Sequence, residues 1–433
     1  MRTPRKARRR PARTTPHDDI ADDTVWPRVA QELADDLAAD APARDRAGKT
    51  PFDEVARLRE AGLPGLLTAP GPGGPGGPGA DWHTACRVIR EIAAADGSIG
   101  ELLAHHCALS WATRLLPPGP DLSGIPAGEH GLLAGAVEPP RTESGDTSRP
   151  ADLALTPAGD GTYHLTGRRF FASGVAVADR LVVGACCATS GDLLVVLADP
   201  AHPAVFTEPY ADRVGQRLAG AGTVTFDRLP VAAGQILGVL PYDEHTVAPY
   251  AGLAPLVLRL LLVHVTLGIA EGALAEARDV SRASRCAPPA PTEPKRAAHT
   301  GPAPEEDPYL LLVYGELATA AHSAAAVVDR ATEALAHGLL AAHDLGVGER
   351  SDIAVLVAAA ETVAHRAATD ITTRVLGLVA PRSPADPLGA DPGFDRFWRN
   401  VRALTAPVSP DHRLRDIGDH YLHGTHPRLT LPV

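Results

Sequence analysis

Two pairs of polar side chains have the types and spacing that chemistry on a bound molecule requires. His106 and Ser110 lie four residues apart, so on a helix their side chains share a face. A histidine there can exchange a proton near neutral pH, although a helix histidine is often structural. Arg282 and Arg285 lie near the end of a predicted helix, and an arginine side chain can bind a phosphate through two nitrogens. The alternative for both arginines is solvation at a helix C-terminus, where the dipole favours a cation.

The charge distribution argues against a nucleic-acid-binding body. The 433 residues carry a net charge of −11, and the first 17 positions hold seven basic residues and no acidic one. The remaining chain therefore carries −18, which opposes a polyanionic partner. We interpret residues 1–18 as a disordered basic tail, with contact to nucleic acid or membrane as the alternative.

The apolar and cysteine content predicts a cytoplasmic protein with no membrane span and no metal. No apolar stretch follows the basic tail, so the tail is not a secretory signal. Residues 253–274 are strongly apolar but contain Arg259, His264 and Glu271, which favours a buried helix over a membrane helix. The five cysteines include no C-x-x-C pair and are odd in number, so neither a zinc site nor a disulfide framework is expected.

Hydrophobic periodicity divides the chain into three regions. Helical spacing runs from about residue 24 to 116, with a helix opening at Pro51 and further helices over residues 82–92 and 99–116. Strand-length runs with Gly- and Asp-containing turns follow, at residues 132–137, 152–156, 163–166, 180–185, 193–197 and 223–226. Long helical patterns return at residues 253–281, 308–340, 351–378 and 394–404.

This order predicts an α+β protein with an N-terminal helical domain, a middle antiparallel β-barrel or sandwich, and a C-terminal four-helix bundle. We place the domains at residues 19–130, 131–245 and 246–433, after the tail of residues 1–18.

Local motifs give this architecture a family resemblance. The order of helical, β and helical regions resembles the acyl-CoA dehydrogenase fold. The motifs resemble the flavin-dependent monooxygenase branch of that family, which includes dibenzothiophene monooxygenase. The matching segments are AAADGS at residues 93–98 followed by His105-His106, GRRFFASG at 167–174, GQRL at 215–218, GTVTFD at 222–227, FDRFWRNVR at 394–402 and LRDIG at 414–418.

The resemblance implies a flavin site and assigns residues to it. The strand that carries Phe171, Ser173 and Gly174 lies beside the flavin ring in the family, and a flavin needs both an apolar wall and hydrogen-bond partners. Val137 falls where relatives place another segment at the flavin edge. His106, with Ser110 and Ser173, is the candidate for chemistry at the ring. Relatives hold the flavin phosphates with arginines at the positions of Arg282 and Arg285, often across a subunit interface. Arg382 and Ser383 match a loop that also approaches the flavin in relatives.

One departure from the family leaves the reaction open. Monooxygenase relatives carry a His-Thr-Leu-His-Asp-Pro run near residues 404–409, and this chain has none of those histidines. Acyl-CoA dehydrogenases place their proton-abstracting glutamate in nearly the same position, which here is at or near Val408. Asp411 and His412 are possible substitutes, with a solvated loop as the alternative.

Three hypotheses follow from the resemblance. The first is a two-component monooxygenase that takes reduced FMN or FAD from a separate reductase and oxidises a small apolar or aromatic substrate with O2. The second is an FAD-dependent acyl-CoA dehydrogenase-type enzyme, with Glu361 or Glu316 as an unusual base. The third is a catalytically degenerate paralogue that acts in assembly. By analogy with the family we also expect a homotetramer, with residues 256–267 as a candidate interface.

Overall fold

The computed structural model describes residues 25–67, 81–115, 131–137, 153–159, 161–210, 212–240, 247–286, 308–379, 393–407 and 410–426. The basic tail and the three predicted domain boundaries, at residues 18, 130 and 245, lie outside these segments. The first helices are α1 Val25–Ala38, α2 Ala41–Ala47, α3 Phe52–Glu60, α4 Trp82–Ala95 and α5 Gly97–Leu115.

Asp96 fixes the start of α5, the helix that carries the predicted histidine. One carboxylate oxygen of Asp96 accepts hydrogen bonds from the amides of Ser98 and Ile99, at 3.0 and 3.3 Å. The other oxygen accepts from Arg44 at 2.9 Å. Since a helix N-terminus has unpaired amides and a partial positive charge, this buried carboxylate both caps the helix and complements its dipole.

The middle of the chain is one mixed sheet. Its strands are β1 Leu133–Ala136, β2 Leu153–Pro157, β3 Tyr163–Phe171, β4 Arg180–Cys187, β5 Leu193–Ala198, β6 Val205–Pro209, β7 Gly222–Val231 and β8 Ile236–Leu240. Hydrogen bonding joins them in the order β6-β7-β3-β2-β4-β5-β8, with β1 also paired to β4.

The prediction of a wholly antiparallel middle region is wrong in this detail. β1 and β2 both run parallel to β4, with β1 against residues 180–183 and β2 against 186–187. Two short strands thus share one edge of a longer strand. Alternation of apolar side chains is the same in parallel and antiparallel pairs, so the sequence pattern does not reveal the direction.

Five helices follow the sheet within the described segments: α6 Ala254–Cys286, α7 Pro308–Ala341, α8 Val347–Val379, α9 Asp395–Thr405 and α10 Pro410–His423. The first four match the predicted bundle, and α10 is the helix that the periodicity missed. Its described side chains are mostly exposed, with only Arg413 buried, and its apolar face is short, formed by Leu414, Ile417 and Tyr421.

The N- and C-terminal helices share one apolar core, while the sheet has its own. Glycines bring α4 and α6 together, because a Cβ on Gly268 or Gly272 would lie 2.3 or 2.0 Å from the carbonyl oxygens of Arg90 and Ala94. Helix α6 is long and apolar enough to cross a membrane, but 72% of its most apolar window is buried in the fold. The predicted interface at residues 256–267 is therefore wrong, since most of its large apolar side chains lie inside the chain's own core.

Candidate active site

The segment that follows β3 is a turn fastened to the loop before β7. The hydroxyl of Ser173 donates to the carbonyl of Ala219 at 3.1 Å, and the amide of Gly174 donates to the same oxygen at 2.7 Å. Gly174 has a φ of +78°, and a Cβ there would lie 2.8 Å from that of Ala134 in β1. The turn thus requires glycine. It places Ser173 and Gly174 where the end of β3, β1 and the loop before β7 meet.

Phe171 lies inside the sheet rather than on an open wall. Its side chain is 2% exposed in the sheet core, with the guanidinium of Arg169 5.6 Å from the ring centre. Phe170 points the other way and is 50% exposed, with its ring edge-on to Tyr210. Because alternate strand residues face opposite sides, the exposed aromatic of this pair is Phe170. Phe171 therefore belongs to the sheet core, and its role beside a flavin ring stays a prediction.

Both ring nitrogens of His106 have backbone partners. The amide of Leu133 donates to Nδ1 at 2.9 Å, so Nε2 carries the proton and donates to the carbonyl of Pro64 at 2.8 Å. Burial lowers the pKa of His106, which keeps the ring neutral. The imidazole joins α5, β1 and the turn after α3, and neither nitrogen is open to a bound molecule. Its catalytic role stays a prediction, which this geometry does not favour.

The remaining predicted residues are spread over several elements. Ser110 lies one turn after His106, and its hydroxyl donates to the His106 carbonyl at 3.0 Å. Val137, just beyond β1, is buried against an apolar group that includes Leu109 and Val182. Arg282 is exposed near the end of α6. The Arg285 side chain, Arg382, Ser383 and Val408 lie outside what the structure describes.

A polar cluster that the sequence analysis missed lies beside the Ser173 turn. Arg213 donates through Nη1 to the carbonyls of Ala172 and Gln216, at 2.9 and 3.3 Å. The charge of Arg213 acts on two side chains of α5, Glu101 and His105. The loop before β7 is therefore connected to the turn through one guanidinium group, whose charge lowers the pKa of both Glu101 and His105.

Gln216 is the most enclosed member of this cluster. It is fully buried with a φ of +55°, and both polar atoms of its side-chain amide lack a hydrogen-bond partner. Its backbone amide donates to Oδ1 of Asn400 on α9 at 2.7 Å. Buried polar atoms are normally paired, so an unpaired amide beside a candidate site has capacity for water or a polar ligand group.

Glu101 and His105 have strongly shifted acidities. Burial raises the pKa of Glu101 to about 7, and the Arg213 charge opposes this rise. Burial lowers the pKa of His105 to about 4, and the ring donates through Nδ1 to the Glu101 carbonyl at 3.0 Å. At neutral pH the cluster therefore holds a neutral imidazole and a carboxyl group near its titration midpoint. Shifted acidities of this kind are common in functional sites.

The alternative bases for a dehydrogenase are engaged elsewhere. Glu361 is buried and pairs with Arg259 at 2.5 Å and Arg413 at 2.9 Å, and its pKa is lowered. Burial on its own would raise that pKa, so the two arginines determine the direction of the shift. Glu316 is exposed and pairs with Arg374 at 2.5 Å. Asp411 and His412 are exposed at the start of α10.

Comparison with known proteins identifies the family. A model of the acyl-CoA dehydrogenase N-terminal domain matches residues 23–115. Dibenzothiophene monooxygenase from Rhodococcus qingshengii is 32% identical over 98% of this chain and 98% of its own length. The chain belongs to the dibenzothiophene monooxygenase branch of the acyl-CoA dehydrogenase family. The probable FMNH2-dependent monooxygenase SfnC from Pseudomonas putida is 30% identical over 92% of this chain and 95% of its own.

A solved structure agrees with this assignment. FMN-bound TdsC from Paenibacillus sp. A11-2 superposes with a TM-score of 0.80 and 29% identity, covering 94% of this chain and all of that one. The predicted family and the helix–sheet–helix fold are therefore confirmed. The polar cluster was detectable in principle from the motifs. His105, Gln216 and Asn400 lie in the segments that carry the resemblance, and Arg213 lies two residues before one of them.

Proposed function

We propose that this protein is an FMN-dependent monooxygenase that inserts one oxygen atom of O2 into a small apolar or aromatic substrate. The observation that carries the proposal is similarity to dibenzothiophene monooxygenase over 98% of both chains. Relatives named for FMN or FMNH2 support FMN over FAD. Use of reduced flavin implies a separate reductase as partner, and we expect the protein to work in the cytoplasm.

The described residues fit a flavin at the Ser173 turn. The turn offers a buried hydroxyl and a glycine backbone, and Gly174 lies against Ala134 of β1, the strand that Val137 follows. Gln216, whose carbonyl shares the Arg213 guanidinium with that of Ala172, retains two buried polar atoms without partners, and Glu101 on α5 retains one. In this proposal Arg282 and Arg285 bind the phosphate, and Arg382 and Ser383 lie on a loop that approaches the flavin. Reduced flavin, when bound, supplies the electrons that activate O2.

The protein's own share of the reaction is binding, orientation and exclusion of water. The hydrogen bonds from Ser173 and Gly174 to Ala219 fix the turn against the loop before β7. His106 fixes α5 against β1, which sets the distance between that helix and the sheet. The apolar core around α5 keeps bulk water away from this face, and a dry site strengthens each polar contact within it.

Assembly as a homotetramer is part of the proposal, with a different surface from the one predicted. On α7 the side chains of Leu311 and Leu312 are 59% and 60% exposed, beside Gly315 and Ala320 in a shallow apolar groove. Only 22% of the most apolar window of this helix is buried in the chain. An exposed apolar stripe of this kind favours contact with a second copy.

Anaerobic titration with reduced FMN, followed by rapid mixing with O2, tests the proposed function. We expect saturable binding and reoxidation of bound flavin that is slower than for free flavin, with oxidation of dibenzothiophene as the product assay. Tight binding of oxidised FAD with slow reaction toward O2 would instead favour the dehydrogenase. Absence of flavin binding in either redox state would leave the assembly role.

A further inference from the structure

The side chain of Arg213 is held beside the Ser173 turn through one of its nitrogens. Nη1 donates to the carbonyls of Ala172 and Gln216, at 2.9 and 3.3 Å. The Gln216 carbonyl also accepts from the amide of Ala219 at 3.2 Å, and the Ala219 carbonyl accepts from the hydroxyl of Ser173. A continuous set of hydrogen bonds therefore fixes the guanidinium group against the turn.

The other edge of this guanidinium group has no partner among the described residues. The hydrogen bonds of the side chain all use Nη1, which leaves Nε and Nη2 without one. These two nitrogens form an open edge, since no nitrogen of Arg213 is both buried and unpaired. Two parallel N–H groups of this kind bind a planar anion in a bidentate manner.

The charge of Arg213 is also uncompensated. No carboxylate of the described segments, Glu101 included, lies within ion-pair distance of the half-buried guanidinium group. Arginines that join other elements of the fold do pair with carboxylates; they are Arg44, Arg59, Arg90, Arg259 and Arg399. Because a partly desolvated cation is stabilised by a counter-ion, an anion bound at the open edge would complete this position.

Gln216 provides a second unpaired group next to Arg213. Its side chain is fully buried, yet neither polar atom of the amide has a hydrogen-bond partner. Its φ of +55° is uncommon for a residue with a side chain, and Asn400 holds its backbone amide at 2.7 Å. Backbone strain and unpaired buried polar groups are concentrated at ligand sites, so the residue beside Arg213 independently marks this loop as part of one.

Reduced FMN differs from oxidised FMN by a negative charge on its ring, because N1 is largely deprotonated near neutral pH. A positive charge held beside the ring stabilises this form over the neutral oxidised ring. We propose that Arg213 is a cofactor-binding residue, whose open edge gives the site a preference for reduced over oxidised FMN. This role rests on the proposed function, which places the flavin at the Ser173 turn. The phosphate is common to both forms and does not contribute to the preference.

Anaerobic titration of the protein with reduced and with oxidised FMN, followed by calorimetry, measures this preference. We expect the wild type to bind reduced FMN about tenfold more tightly than oxidised FMN. Arg213→Gln keeps an amide donor for the Ala172 carbonyl but has no charge, so the ratio of the two dissociation constants should approach one. Arg213→Lys keeps the charge on a single nitrogen and should retain more of the ratio than Arg213→Gln.

Two controls separate the charge of Arg213 from its contact with the turn. Arg168→Gln removes an exposed charge from β3, where Arg168 pairs with Glu208, and should keep the wild-type ratio. Hydrogen–deuterium exchange at the amides of Gly174 and Ala176, which are bonded to the loop before β7, should be equal in the wild type and Arg213→Gln. Faster exchange there, with both forms of FMN bound equally more weakly, would limit Arg213 to holding the turn and overturn its role in redox preference.

The remaining outcomes separate this role from the proposed function. Equal affinity of the wild type for the two forms of FMN would overturn the role of Arg213, whether or not Arg213→Gln folds. A wild-type ratio that persists in Arg213→Gln would also overturn it, while the proposed function would stand because FMN binds. If neither form of FMN binds to the wild type, the proposed function fails and the role of Arg213 fails with it.

Discussion

The backbone amide of Gln216 donates a 2.7 Å hydrogen bond to the side-chain oxygen of Asn400, and this bond joins the loop before β7 to α9. Both residues are buried. The same helix is held to α6 by Arg396, which pairs with Glu276, and to α2 by Arg399, which pairs with Asp45. The FDRFWRNVR segment is therefore a structural junction, and its polar residues fix the loop that supports the Ser173 turn.

Removing the Asn400 side chain should destabilise the protein. In Asn400→Ala the buried Gln216 amide loses its acceptor, so we expect the free energy of unfolding to fall by about 2 kcal/mol, measured by chemical denaturation. Asn400→Asp keeps an oxygen acceptor and should retain more of the stability. Arg402→Ala, on an exposed position of the same helix, should change it by less than about 0.5 kcal/mol. Equal effects of the two alanine variants would contradict this role.

Substitution of His106 should lower the stability of the protein rather than its catalytic activity per folded molecule. His106→Phe keeps an aromatic ring but leaves the Leu133 amide and the Pro64 carbonyl without their partner. We expect a loss of about 2–4 kcal/mol in the free energy of unfolding, with oxidation activity lost in proportion to folded protein. His83→Phe, on the exposed side of α4, is the control. A His106→Phe protein of normal stability that binds FMN without oxidising dibenzothiophene would instead support the catalytic role.

The family and the order of elements were predictable because they depend on local sequence. AAADGS supplies a local cap, because Asp96 accepts hydrogen bonds from the amides of Ser98 and of Ile99, the residue that follows the segment. Helices α6 and α8 have long periodic apolar patterns, whereas α10 has a short one of three residues, Leu414, Ile417 and Tyr421. Mixed strand direction was not predictable, because β1 and β4 are about 45 residues apart and the pattern of each is the same in either direction.

The candidate site was harder to predict because its roles depend on distant partners. His105 and His106 are adjacent in sequence and equally plausible, but only the structure shows that His106 bonds to Pro64 and Leu133. Phe170 and Phe171 are likewise exchangeable until the strand's orientation is known. Glu101 is not part of a recognised motif. Its pKa is raised by burial, which the local sequence pattern does not reveal.

Ser173→Ala should weaken flavin binding more than it weakens the fold. The Ala219 carbonyl that loses the hydroxyl still accepts from the Gly174 amide, so no buried group is left unpaired. We expect less than about 1 kcal/mol of change in stability but about tenfold weaker binding of reduced FMN, measured by anaerobic titration. Ser323→Ala removes an exposed hydroxyl on α7 and should change neither quantity. Unchanged FMN affinity in Ser173→Ala would remove Ser173 from the site.

Glu101 should give the stability of the protein a defined pH dependence. The pKa of Glu101 is about 7 in the folded protein, above its ordinary value of 4.5, so the folded state binds the extra proton between these values. The stabilising effect is complete below pH 4.5 and is lost as the pH rises through 7. Glu101→Gln should therefore exceed the wild type in unfolding free energy at pH 8, by up to roughly 3 kcal/mol, and match it more closely at pH 5. A pH-independent difference between the two proteins would contradict this account.

The apolar stripe on α7 should control self-association. Leu312 is 60% exposed in the single chain, and a carboxylate placed there would have to lose its hydration in any contact with a second copy. Leu312→Asp should therefore lower the oligomeric state, measured by sedimentation velocity, while the free energy of unfolding of the chain changes by less than about 0.5 kcal/mol. Leu422→Asp, at a position 75% exposed on α10, provides the matched control and should leave assembly intact. An unchanged sedimentation coefficient for Leu312→Asp would place the interface elsewhere, and a monomeric wild type would remove the tetramer from the proposed function.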